Sequence, residues 1–188
     1  HAVGRRRVAW FSAWVPEADV KRLSEAAAKA GWGLLLDDPL DDEQPPTKTE
    51  NSPLVRVIQP VLDFLGTVPN YREYDISGLF LLFFVIFFAM IFGDGGYGSL
   101  MLLAGIAAAV SSKKKTGKVS DPVRLLLMLA AATVAWGVLT ASWFGIEAAR
   151  LPSFLLDLAI PAISNANKES GDNVKLVCFT LGLVQLVV

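Results

Sequence analysis

Histidine and cysteine are almost absent from this chain: among 188 residues there is one His, His1, and one Cys, Cys178. A single Cys excludes an intrachain disulfide and a Cys-based metal site. No Ser/His/Asp, Cys/His or metal-ligand cluster can be assembled, so no catalytic site, metal or cofactor is expected in this stretch. An excess of positive charge is missing too. Lys+Arg number 17 against 18 Asp+Glu, for a net charge of −1, and no broad basic surface is left to neutralise phosphates, which argues against a nucleic-acid partner. No secretory signal opens the chain, because Arg5, Arg6 and Arg7 precede only the short run Val8–Val15, which ends at Pro16. With no initiator Met either, the beginning is read as internal to a longer protein.

What is present is apolar. Hydrophobic residues make up 53% of the chain and charged residues 19%, and the mean hydropathy is +0.47. These averages hide a division near residue 75, with charge concentrated before it.

Residues 1–36 predict a partial α/β lobe. Val8–Val15 and Trp32–Leu36 have the apolar and aromatic content of strands. Between them Pro16 suits a helix start, Glu17 and Asp19 favour its positive end, and Val20, Leu23, Ala27 and Ala30 share one face up to Gly31. The expected unit is β-α-β, too small to bury a core alone. Residues 37–53 form an acidic, Pro-containing linker. Residues 54–75 predict a short juxtamembrane helix, interrupted at Pro60, and an entry segment in which Tyr71, Arg72 and Glu73 anchor at the headgroups.

Residues 76–188 predict an α-helical polytopic membrane domain with spans at about 76–93, 95–112 and 123–146 and a further one from about 174. Uncharged runs of 18, 18 and 22 residues occupy Ile76–Gly93, Gly95–Ser112 and Leu125–Ile146. At 1.5 Å per residue they reach roughly 27–33 Å, near the ~30 Å hydrocarbon thickness. The last run, Leu176–Val188, has 13 residues and stops short, which reads as a span cut by the chain end. Leu79–Phe92 is apolar on every face, unlike a soluble helix. Lys113, Lys114, Lys115, Lys118 and Arg124 crowd the second connection while the first holds only Asp94. The positive-inside bias therefore places the Lys113–Lys118 loop and the amino-terminal lobe in the cytoplasm.

Gly93-Asp94-Gly95-Gly96-Tyr97-Gly98 looks like a phosphate-cradling loop, but no Lys-Ser/Thr follows and no strand precedes it. A tight hairpin between two helices fits better, with glycines permitting close backbone approach. Asp94 is a candidate for an ion pathway, since a carboxylate near a bilayer is costly unless paired or wetted. The competing reading is a solvated acid at the outer interface. Glu147, Arg150 and Asp157 either line an aqueous ion entry or sit on the outer surface. Trp136 and Trp143, seven residues apart, read as packing and interface residues.

Taken in order, these pieces resemble the large membrane subunit of rotary V-type and archaeal-type (V/A-type) ATPases, called subunit a or subunit I. Trp14-Val15-Pro16-Glu17 resembles the family's Gly-Trp-Val-Pro segment, with Ala13 in place of the Gly. Asp38 to Pro46 resembles its acidic Pro-Pro linker, and Tyr71-Arg72-Glu73-Tyr74-Asp75 its Tyr-x-Glu membrane entry. Ile76-Ser77 departs from that entry, where a Pro often follows. Phe92 to Gly98 is similar to its Phe-Gly-Asp-x-Gly-His/Tyr-Gly hairpin, the most specific piece. A Lys-rich loop follows in both, and Trp143-Phe144-Gly145-Ile146 is similar to the end of its third helix.

The resemblance implies a non-catalytic stator subunit in the ion (H⁺ or Na⁺) translocating membrane sector. Its partners would be a proteolipid (c/K) ring, peripheral stalk subunits and the lipid bilayer. The family's essential Arg lies on a late helix. No Arg sits within the apolar runs here, so this stretch is expected to lack that residue. Two rival readings stay open: a secondary transporter, disfavoured by the scarcity of polar residues in the spans, and a membrane scaffold with a cytoplasmic regulatory lobe.

Overall fold

The computed structural model describes residues 9–40, 43–47, 51–67 and 73–188. The chain divides into two units, one formed by His1–Glu50 and Val68–Tyr74, the other by Asn51–Thr67 and Asp75–Val188.

In the first unit, helix α1 spans Glu17–Ala30 and starts after Pro16. It ends at Gly31, whose φ of 68° is the left-handed conformation a glycine adopts without a Cβ penalty. The Gly31 N–H turns back to the carbonyls of Ala27 and Ala28, and the Trp32 N–H to that of Ala27. Val20, Leu23 and Ala27 lie on the covered face as their spacing predicts, whereas Ala30 is exposed. The flanking strands do not form. Residues 9–16 and 32–36 have no regular structure, and no strand occurs among the described residues. The expected β-α-β lobe is therefore corrected to a helix with irregular flanks. Apolar content alone does not make a strand: the ladder needs a second chain segment to take its N–H and C=O groups. Here Trp10, Phe11 and Leu35 stand more than four-fifths exposed.

All the regular structure of the second unit among its described residues is helical. A 3₁₀ turn, Val55–Ile58, runs into α2, Gln59–Leu65, with Pro60 in the first turn, where its missing N–H costs nothing. Then follow α3 (Ser77–Phe92), α4 (Gly95–Thr116), α5 (Asp121–Thr140), the short α6 (Ser153–Asp157) and α7 (Ser170–Val187). Helix α5 is central, packing against α4, α3 and the 3₁₀ turn. The segment expected at the membrane surface also supplies part of the core: Val57, Ile58 and Leu62 are buried with Leu81, Leu125 and Leu129. Four phenylalanines of α3 follow one another along the helix, Phe80, Phe84, Phe88 and Phe92, with neighbouring rings in contact.

The set of spans expected from the uncharged runs is not shown by the helices. Among the described residues two helices, α4 and α5, are long and apolar enough to cross a membrane. Helix α3 has 16 residues, reaching about 24 Å. Helix α7 carries Asp172 and Lys175 within its first two turns. The third expected span also ends early, at Thr140, because Ala141 turns left-handed with φ 51°. Uncharged runs marked where charge is absent; turns decided where helices stop.

Candidate functional site

Asp94 occupies the N-cap of α4 in extended conformation (φ −124°, ψ 119°). A helix start leaves its first N–H groups without intrahelical partners. Here each is met. Asp94 Oδ1 accepts from the Gly96 N–H at 2.8 Å and the Tyr97 N–H at 3.0 Å. The Gly95 N–H donates to the Ser142 carbonyl at 2.8 Å. The second carboxylate oxygen, Oδ2, accepts from the Gly145 N–H at 3.2 Å. One side chain thus ties the beginning of α4 to the turn that follows α5. Upstream, Gly93 closes α3 with φ 64° and donates to the Ala89 carbonyl.

The turn after α5 is shaped to receive this. Ala141 and Phe144 adopt positive φ, the only non-glycine residues described that do, and Gly145 follows at 68°. Such a conformation costs a non-glycine residue about 1–3 kcal/mol unless its surroundings impose it. At Phe144 the ring covers Gly96, where an added Cβ would stand 2.5 Å from ring carbon. It also meets Tyr97 edge-on with ring centroids 5.4 Å apart. Trp143 lies over Gly95, its ring 3.2 Å from where a Cβ would be. The last carbonyls of α5 are met by the incoming loop: Leu139 accepts from the Ile160 N–H and Thr140 from the Asn165 N–H.

The glycines serve the α4–α5 contact. A Cβ on Gly98 would stand 2.9 Å from the Val134 backbone nitrogen, one on Gly105 the same distance from Leu127 Cδ2, and one on Gly137 would overlap the Gly95 backbone. Small residues of α4 therefore meet α5 in antiparallel register down the pair, the close approach small residues permit. Hairpin packing of α3 on α4 was the sequence expectation for Gly93, Gly95, Gly96 and Gly98; the face of Gly95, Gly98 and Gly105 is turned to α5. Gly137 and Ser142 were not singled out from sequence. An isolated Gly within the apolar run of α5 was the available signal.

Electrostatics fit a fixed carboxylate. Partial burial pushes the Asp94 carboxyl up, but the N–H groups of Phe144, Tyr97, Gly145 and Gly96 together outweigh it and hold the group below the usual carboxylate range. With the N–H groups of Gly96 and Tyr97 already occupied, the glycine-rich stretch has no free cradle for a phosphate. Among the described residues no group of three or more His, Cys, Asp or Glu comes together as metal ligands would.

Of the membrane-entry anchors, Tyr71 and Arg72 lie outside the described residues, and Glu73 is described just before α3. The neighbouring Asp75 accepts from the Ser77 N–H at 2.9 Å, and the Ser77 hydroxyl and N–H hold its carboxyl low. Glu147 and Arg150 pair with each other at 3.6 Å, both 78% exposed. Trp143 lies past the end of α5, not one helical stack with Trp136.

Comparison with known proteins identifies relatives. The model of the V-type ATPase 116kDa subunit family matches residues 3–133. A V-type ATP synthase subunit I 1 from Treponema pallidum is 40% identical over 182 residues, 96% of this chain and 29% of its own length. V-type ATP synthase subunit I from Borreliella burgdorferi is 32% identical over 94% of this chain and 29% of its own. An A-type ATP synthase subunit I from Archaeoglobus fulgidus is 37% identical over 46% of this chain and 13% of its own. The chain spans 29% of the length of the first two relatives.

Proposed function

The chain belongs to the V-type ATPase 116kDa subunit family, and on that premise we propose that it serves as a non-catalytic stator subunit of a rotary V/A-type ATPase. In this reading it stands in the ion-translocating (H⁺ or Na⁺) membrane sector beside the proteolipid ring and joins the peripheral stalks. The observation that supports it most is the extended match, 40% identity over 96% of the chain, to a protein named as a V-type ATP synthase subunit I. Helices α4 and α5 cross the bilayer, with the amino-terminal lobe and the Lys113–Lys118 turn on the cytoplasmic side. Asp94 is a structural clasp: it fixes the far end of the α4–α5 pair and carries no ions, since its oxygens are taken up by backbone N–H groups.

Affinity purification of this protein from its own membranes in mild detergent tests the proposal. Recovery together with a proteolipid ring and stalk subunits, in a complex that hydrolyses ATP, is the expected result. Recovery free of both partners would overturn it and leave a scaffold or transporter.

A further inference from the structure

The opposite end of the α4–α5 pair carries charge that the clasp does not use. Lys113, Lys114 and Lys115 lie in the last turn of α4 and Lys118 follows Gly117; all four side chains belong to exposed residues. Three consecutive helical residues span about 200° of the helix circumference, so these ammonium groups fan outward and do not converge on one partner. Their backbone is held firmly. Gly117 donates to the Lys113 carbonyl at 2.9 Å, and the Ser112 and Thr116 hydroxyls both donate to the Lys118 carbonyl, folding it back over the helix end. Among the described residues no carboxylate lies within ion-pair distance of any of the four. Asp121, the nearest acid in sequence, is taken by Arg56 at 3.1 Å and Arg124 at 3.5 Å. Immediately before the lysines α4 is apolar and outward-facing, with Leu103, Ile106 and Val110 exposed.

We infer that the Lys113–Lys118 turn is a binding site for the headgroups of anionic phospholipids. The inference rests on α4 and α5 crossing the bilayer. A fan of separate cations at the rim of an apolar helix matches a plane of separate negative headgroups. A single free phosphate or nucleotide would need the donors to converge, which these do not. Each lysine beside an anionic surface raises association about fivefold, so the four act together and the attraction weakens with salt.

The test uses the full chain in nanodiscs of phosphatidylcholine with phosphatidylglycerol. Lipid that stays with the protein after detergent transfer is counted by native mass spectrometry. The wild type is expected to retain phosphatidylglycerol over phosphatidylcholine. The combined Lys113→Gln, Lys114→Gln, Lys115→Gln and Lys118→Gln variant is expected to lose that preference by about twenty-fivefold or more, at least two lysines' worth. Arginine at the same four positions is expected to keep it. Equal retention by wild type and the glutamine variant would overturn the inference alone and leave a solvated basic turn. Release of the wild type from membranes by alkaline carbonate would overturn the membrane reading and the inference with it.

Discussion

Gly137 of α5 lies so close to Gly95 of α4 that a Cβ on Gly137 would overlap the Gly95 backbone nitrogen and Cα. Backbone thus meets backbone at the top of the pair, and the contact has no flexible side-chain end that could yield. Lower down, the atom facing Gly105 is the Leu127 methyl, which turns aside at small cost.

Substituting alanine along this line therefore has graded effects. Gly137→Ala is expected to destabilise by about 3 kcal/mol or more, at or above the usual range for overpacking. Gly105→Ala should cost about 1 kcal/mol. Gly182→Ala in α7, where nothing lies within 4 Å, should be neutral or stabilising by roughly 0.5–1 kcal/mol through helix propensity. Thermal unfolding of the three variants in one detergent checks the order. A Gly137→Ala melting point equal to wild type would refute the close contact.

Removing the clasp should loosen both segments it joins. Asp94→Ala takes away the cap, worth about 1–2 kcal/mol, and the link to Gly145. Asp94→Asn keeps an acceptor for Gly96 and Tyr97 and should cost less. Amide hydrogen exchange at Gly96, Tyr97 and Gly145 is the readout: faster exchange at all three is expected in Asp94→Ala. Faster exchange at Gly96 and Tyr97 alone would mean that Gly145 is held by other contacts. In the proposed complex, Asp94→Asn should lower complex yield more than ion transport per complex; normal yield with abolished transport would sink the structural role.

Acid should open the same link. The folded-state pKa of Asp94 lies below its unfolded value, because its backbone donors outweigh partial burial. The native state then binds fewer protons than the unfolded chain in acid. Its contribution is complete above the unfolded value of about 3.9 and is lost as pH falls through the lower folded value. Melting temperature measured across that window should drop more steeply for wild type than for Asp94→Asn. Parallel curves would show that the carboxylate is not selectively held in the folded state.

The ion pair and the core beneath it should differ in weight. Arg56 and Asp121 meet at 3.1 Å, but their side chains are 53% and 28% exposed, and Arg56→Ala should cost no more than about 1 kcal/mol. Ile58, two residues on, is fully buried, and Ile58→Ala should cost about 2–5 kcal/mol. Chemical denaturation of both variants compares them directly; equal losses would contradict this division.

The sequence disclosed what local chemistry decides. Pro16 and Gly31 bound α1, Asp94 and the glycines around it mark a helix start, and lysines mark the other end of α4. It misled where the answer depended on a partner. Val8–Val15 and Trp32–Leu36 have strand-like composition, yet pairing is a tertiary event. The apolar side of Leu54–Leu65 was legible, but its spacing does not name α5 as what that side packs against. Gly137 and Ser142 were hidden for the same reason: their importance lies in what stands opposite, more than forty positions away in the chain.

The reach from Asp94 to Gly145, 51 positions along the chain, also sets an order of events during synthesis. The opening turn of α4 is made long before the residue that completes its hydrogen bonding. Until Gly145 emerges, that turn has only its own cap, and Gly137 has not yet arrived to lie against Gly95. Helix α4 is thus delivered unfinished and is completed by its successor. A ribosome halted between the two would display a first turn whose Gly95 amide still exchanges freely, and resumed translation would close it with Ser142.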